Sequence, residues 1–199
     1  MSEKFFISGS IGIDEVGKGA IAGPVVASAL WFNKHITLEI LSDIGVNDSK
    51  KLSIKKREII NKILMEMVDN KLLYYGLGIV EPDEIDRIGI SASTNKAMKI
   101  ALDTVDIKSD IVLIDGKINP FDFPVKTIVK GDEKCYNIGA ASIIAKIFRD
   151  KTMDELAEDD EFACYNWKRN KGYGSAEQVS SIKKYGVSSH HRKSFCKNF

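Results

Sequence analysis

Two short stretches place acids where an apolar run meets glycine: Gly12-Ile13-Asp14-Glu15-Val16-Gly17-Lys18-Gly19 and Ile111-Val112-Leu113-Ile114-Asp115-Gly116. Singly, an Asp at a strand end is more often a turn former or helix cap, because its side chain bonds nearby backbone amides. Together they say more. If strands 5–13 and 111–114 lie side by side in parallel, Asp14 and Asp115 emerge at one edge of the sheet, where open α/β sheets bind their ligands. Carboxylates gathered there without a lysine or arginine between them repel one another and titrate upward, a cost that a divalent cation removes. An all-oxygen set suits Mg²⁺ or Mn²⁺ rather than zinc. The overlapping Gly12-x-x-x-x-Gly17-Lys18 is not a phosphate-cradling loop: Gly19 stands where Ser or Thr should hold the metal, and Asp14 and Glu15 would face the phosphate.

The elements that must position these acids follow from patterning. Phe5 to Ile13 and Val25 to Phe32 are rich in Ile, Val and Phe and bracket Gly17, Gly19 and Gly23, which predicts two strands with a tight connection. Leu72 to Val80, Ile111 to Ile114 and Val125 to Val129 add three more. Ser53 caps a stretch with Ile54, Ile59, Ile60, Ile63, Leu64 and Met67 on one stripe, Ser91 to Val105 repeats the helical period, and Asn137 to Leu156 predicts a long helix, buried in its first half. Ser175 with Gln178 three residues on predicts a capping box opening a last helix that stops at Gly186. Strands followed by strand–helix alternation give an α/β class with a mixed sheet.

The 199-residue chain is 44% hydrophobic and 29% charged, enough for one compact domain, and neither disordered nor a disulfide miniprotein. Its net charge of +1 argues against an evenly basic coat for nucleic acid. The charge is nonetheless segregated. Residues 47–62 hold six basic and two acidic side chains, and residues 168–199 hold eight and one, so two basic patches face an acidic remainder. Solvated helix faces are the usual fate of such runs. Cys135, Cys164 and Cys196 lie far apart with no C-x-x-C pair, which disfavours disulfides and structural zinc and points to the cytoplasm. The longest apolar run, Ala20 to Phe32, is broken by Gly23 and Pro24, so no membrane span or signal peptide is expected.

With these segments in hand, the sequence resembles bacterial ribonuclease HII, a type 2 ribonuclease H, over nearly its whole length. The carriers are the Gly12 to Gly19 motif, Ala22-Gly23-Pro24-Val25-Val26, Asn47-Asp48-Ser49-Lys50-Lys51-Leu52-Ser53 and Leu113-Ile114-Asp115-Gly116. They continue through Lys130-Gly131-Asp132, Ala140-Ala141-Ser142-Ile143-Ile144-Ala145-Lys146, Lys171-Gly172-Tyr173-Gly174 and His190-His191-Arg192-Lys193-Ser194-Phe195. Their joint order, rather than any single match, is specific.

The resemblance implies an RNase H-like fold over 1–165, a central mixed β-sheet flanked by helices, with a small basic C-terminal helical extension over 166–199 that contacts substrate. It implies an endonuclease that cuts the RNA strand of RNA–DNA hybrids and incises 5′ of single ribonucleotides in duplex DNA, leaving 3′-hydroxyl and 5′-phosphate ends. Asp14, Glu15, Asp115 and Asp132 match the family's catalytic metal ligands for Mg²⁺ or Mn²⁺. The mechanism implied is two-metal hydrolysis, one ion activating water and the other stabilising the departing oxygen. Asp150 is a rival fourth acid, read here as structural.

Gly17, Lys18 and Gly19 occupy the family's Gly-Arg-Gly position, where bare backbone approaches the ribose. Lysine there keeps the charge and loses the guanidinium fork. Tyr173 matches the tyrosine that stacks beyond the ribonucleotide, and Asn170 stands where the family often has histidine. Lys50, Ser142 and Lys146 are candidate phosphate contacts, with packing alone the alternative for Ser142 on a buried helix, and His190 and His191 are expected in phosphate or surface roles. A replication clamp is a possible partner of the tail, and a monomer is expected. Ribonuclease HIII is disfavoured by the dozen residues before Asp14. The alternative, a catalytically idle nucleic-acid-binding module of the same fold, is weighed against by the presence of all four acids.

Overall fold

The computed structural model describes residues 4–46 and 52–199. Five strands, β1 (Ile11–Val16), β2 (Val25–Phe32), β3 (Leu73–Val80), β4 (Val112–Asp115) and β5 (Lys126–Ile128), form one sheet in the order β3-β2-β1-β4-β5. Eight helices accompany them in the described residues: α1 (Leu38–Ile44), α2 (Ile54–Asp69), α3 (Pro82–Ile88), α4 (Ile90–Val105), α5 (Gly131–Lys134), α6 (Tyr136–Leu156), α7 (Trp167–Asn170) and α8 (Ala176–Tyr185). None of them is long and apolar enough to cross a membrane. This is the expected α/β fold with a mixed sheet: β1 pairs antiparallel with β2 and parallel with β4.

The sheet is covered on both faces, so its central strands are mostly apolar, with the acids of β1 and β4 and Ser28 of β2 as the exceptions. Leu30 and Phe32 of β2 pack with Ile60 and Leu64 of α2 and Ile143 of α6 on one face. Ile11 and Ile13 of β1 pack with Ala97, Met98 and Ala101 of α4 on the other. Because side chains alternate along a strand, Gly12, Asp14 and Val16 turn toward α6 while Ile11, Ile13 and Glu15 turn toward α4. A third cluster joins Ile21 and Ala22 to Met153, Trp167, Ile182 and Cys196, so the C-terminal segment is packed onto the loop between β1 and β2.

Two local expectations are corrected. The first strand does not run over 5–13 and end before the acids: β1 begins at Ile11 and contains Asp14 and Glu15, paired with Ser28 and Ala27 of β2. Phe5 instead makes an isolated bridge to Cys135. The long β2 partner carries the ladder past the acids, which apolar counting on β1 alone does not reveal. Second, Ser175 does cap α8, accepting from the Gln178 amide at 3.2 Å, but the Gln178 side chain is buried. Its amide, oriented so that donors meet acceptors, bonds Asn170 Oδ1, Tyr173 O and Trp167 Nε1.

Candidate active site

β1 and β4 run in parallel register, Ile13 opposite Ile114, so Asp14 and Asp115 are the next residues on each strand. Neighbouring strands lie about 4.8 Å apart, which starts the two carboxylates within reach of a common ion. Asp115 Oδ1 accepts the Gly131 amide at 2.6 Å, and this bond ties the end of β4 to α5, the helix that carries Asp132. Asp132 is itself buried. Asp14, only 2% exposed, accepts the Glu15 amide on Oδ1 at 2.7 Å. Its other oxygen, Oδ2, is buried without a hydrogen-bond partner among the described residues.

Burial pushes the Asp14 carboxyl well above the usual carboxylate range, and the charges of Glu15, Asp115 and Asp132 push it further, while the Ser142 hydroxyl pulls it down. Directly across the ladder, the Ser28 hydroxyl is also buried with no hydrogen-bond partner among the described residues. A buried anion among three others, with a bare oxygen, is an arrangement that a bound cation would complete. Glu15, on the opposite face of β1, lines a cleft of about 180 Å³ with Ser91, Asn95, Asp115 and Lys117. The four acids therefore straddle the sheet edge, with Asp115 at the seam. Among the described residues no three acid, imidazole or thiol side chains stand as a finished coordination cage.

The loop after β1 carries Gly17, Lys18 and Gly19. Gly17 has φ +87°, and a Cβ there would meet Arg149 Nε at 2.2 Å, so the position demands glycine. Gly19 faces open space. Lys18 is exposed and pairs with Glu15 at 3.8 Å. Tyr173 lies across an isolated bridge from Ala20 and is 36% exposed as a residue, with Lys146 Nζ 5.6 Å from the ring centre.

The family model for ribonuclease HII matches residues 11–198. Ribonuclease HII of Acetivibrio thermocellus is 43% identical over 94% of this chain and 70% of its own. The chain belongs to the ribonuclease HII family. It is accordingly a metal-dependent endonuclease acting on the RNA strand of RNA–DNA hybrids. Among solved structures, the ribonuclease H2 of Pyrococcus horikoshii OT3 superposes with a TM-score of 0.74 at 25% identity, covering 95% of both chains. The ribonuclease HII of Archaeoglobus fulgidus, solved in complex with PCNA, gives 0.69 at 26% identity over 92% of this chain and 93% of its own.

Within this family frame, Glu15, Asp115 and Asp132 lie near enough for their charges to act on Asp14, while Asp150 is engaged by other partners. Asp150 is bound to Lys146 at 2.6 Å and to Arg57 at 3.5 Å. Lys146 is thus engaged by Asp150, and Ser142 is buried facing Asp14. Lys50 lies outside the described residues. The expectation of surface roles for the histidines fails at His191, which is 1% exposed and packed against Tyr165 and Trp167. Ser28, Ser91 and Asn95 escaped sequence reasoning. Ser28 stands out only as a hydroxyl in an apolar strand, and its meaning appears once the β1–β2 register places it opposite Asp14.

Proposed function

We propose that this chain, beyond cutting hybrids, incises duplex DNA on the 5′ side of a single embedded ribonucleotide and leaves 3′-hydroxyl and 5′-phosphate ends. The observation that carries the reading is the buried, unpartnered Asp14 oxygen among Glu15, Asp115 and Asp132. Those four acids would hold Mg²⁺ or Mn²⁺. When bound, such ions supply an activated water and charge neutralisation at the leaving oxygen, the two-metal chemistry of phosphodiester hydrolysis. The chain itself does the rest. The Gly131 amide fixes Asp115, and the Glu15 amide fixes Asp14, so the carboxylates are aimed before substrate arrives.

Ribose recognition is assigned to the Gly17-Lys18-Gly19 backbone, open at Gly19, and stacking on the next nucleotide to the half-open Tyr173 ring. Lys146, held by Asp150, stands beside that ring and Lys18 is exposed on the loop, and Lys50 and Ser142 are carried as contacts by family resemblance. The proposal extends to a monomer acting in the cytoplasm. It also extends to a replication clamp as partner, supported by the Archaeoglobus fulgidus relative and its PCNA.

The test compares an all-DNA duplex with the same duplex carrying one ribonucleotide, with Mg²⁺, with Mn²⁺ and with chelator. Nicking of the ribose-containing duplex alone, only with divalent cation and with a polymerase-extendable 3′ end, is expected. Robust cutting of a hybrid without any nick at the single ribonucleotide would overturn this reading.

A further inference from the structure

Two arginines are fully buried around the loop that follows β1. Arg149 of α6 donates through Nε to the Pro24 carbonyl at 2.9 Å, through Nη2 to Ala22 at 3.0 Å and through Nη1 to Lys171 at 2.9 Å. Arg192 donates through Nε to Gly23 at 3.0 Å and through Nη1 to Ala20 at 2.7 Å and Lys18 at 3.2 Å. All six acceptors are main-chain carbonyls. Burial lowers the titration of both, and with Arg149 beside it Arg192 falls to about 9, still cationic near neutrality. Two like charges buried together are costly, and the structure sustains them where irregular backbone leaves carbonyls that need donors. A planar five-donor fork can satisfy several such carbonyls at once, which an ammonium group on a flexible stem does less well.

The two arginines differ in reach. Arg192 gives its hydrogen bonds to loop carbonyls alone and rests 5.5 Å from the Phe195 ring, whereas Arg149 bonds the loop and the Lys171 carbonyl beside Tyr173 and sets its guanidinium carbon 5.3 Å from the centre of the Tyr173 ring. The same seam is closed by the Ile21 and Ala22 amides, both donating to the Gly172 carbonyl at 2.8 and 3.1 Å. A Cβ on Gly172 would meet the Ala22 carbonyl oxygen at 2.4 Å, so the two segments are in direct contact.

We infer that Arg149 is a positioning residue that registers the Gly17-Lys18-Gly19 loop against Tyr173, so that the ribose and the nucleotide beyond it are read at one fixed spacing. This rests on the reading of the loop and of Tyr173 given under Proposed function. Arg149 would then govern junction specificity without touching substrate, while Arg192 braces the loop alone.

The experiment measures kcat/KM on a single-ribonucleotide duplex and on a continuous hybrid, and takes their ratio for wild type, Arg149→Lys, Arg192→Lys, Tyr173→Ala and the double variant Arg149→Lys/Tyr173→Ala. Tyr173→Ala should lower the ratio about tenfold or more, the scale of a lost base–aromatic stack. Arg149→Lys should lower it comparably, the double variant no further, and Arg192→Lys should slow both substrates with the ratio unchanged. A folded Arg149→Lys with a wild-type ratio, or losses that multiply in the double variant, would overturn the inference while leaving the stacking role of Tyr173 intact. An unchanged ratio in Tyr173→Ala would remove the stacking role and the inference with it. If Arg149→Lys gives no cooperative melt, hydrogen exchange on the wild type decides. The Ile21 and Ala22 amides should open in one unit with residues 145–153 of α6, and their earlier, independent exchange would overturn the inference.

Discussion

On one side of the Gly17–Pro24 loop a carboxylate is buried beside three others with an oxygen left bare. On the other, two guanidinium groups are buried beside each other with six carbonyl oxygens around them. Both are like-charge clusters taken out of water, and both are expensive in isolation. The chain answers the second from within: among the described residues one Arg192 nitrogen, Nη2, lacks a partner, and every other donating nitrogen of the pair has its carbonyl. In the first, Asp14 Oδ2 has no hydrogen-bond partner among the described residues, and the charges around it are of its own sign. A cluster balanced internally is scaffold, whereas one left unbalanced at the mouth of a cleft is a place where a ligand completes the fold's own electrostatics.

The sharpest way to break this contrast is Asp14→Asn. Removing the unbalanced charge should raise the melting temperature measured in chelator, because the native state no longer holds a repelled anion. It should abolish the additional stabilisation that Mg²⁺ confers on the wild type. Cleavage should fall by far more than the ~100-fold typical of losing an outer-shell partner of a metal ligand, while hybrid binding in Ca²⁺ persists. A variant that melts lower in chelator and still cuts would place Asp14 on the scaffold side of the comparison.

Asp150 supplies the internal control, being an acid on α6 already paired with Lys146 and Arg57. Asp150→Asn should shift stability in the opposite direction, downward by about 1 kcal/mol, the scale of partly exposed ion pairs. It should reduce cleavage less than tenfold, as read by urea titration and steady-state kinetics. A collapse of activity equal to that of Asp14→Asn would make Asp150 the fourth ligand in place of Asp132.

How far the sequence reached follows the same division. The carboxylates were legible because charge at the end of an apolar run is locally anomalous, and the parallel placement of β1 and β4 follows from two such runs needing one edge. β2, β3 and the helices of Ser53, Ser91 and Asn137 were legible from period and caps, Val25–Phe32 to the residue. The arginine pair was not, since Arg149 in Phe148-Arg149-Asp150 and Arg192 in a basic tail look like any solvated cation until tertiary contact buries them. The short helices α3, α5 and α7 also went unread, because four to seven residues carry too little periodicity. His191 was misplaced for the reason that hid Arg192: its neighbours in sequence are polar and its neighbours in space are Tyr165, Trp167 and Gln178.

That misplacement yields the smallest effect and the finest test of the scaffold side. Burial, helped by the charge of His190, holds His191 down to about 4 from an ordinary 6.5. Its Nδ1 accepts the Ser188 amide at 3.0 Å, a bond that protonation would destroy. Between those two values the unfolded chain binds the proton and the folded chain does not, so this residue's contribution is whole above pH 6.5 and drains away as pH falls toward 4. The backbone of His191 bridges to Ala22, and the Arg192 amide donates to the Ile21 carbonyl at 2.8 Å, so acid should loosen the arginine-held loop before it disturbs the sheet. Unfolding free energies from urea titrations across pH 4 to 6.5 should rise with pH in the wild type and rise less in His191→Gln. The difference between the two slopes isolates the residue from the acid cluster, whose raised carboxyl pulls the other way. Identical slopes would show that His191 reaches water, and that the scaffold side is less closed than its packing indicates.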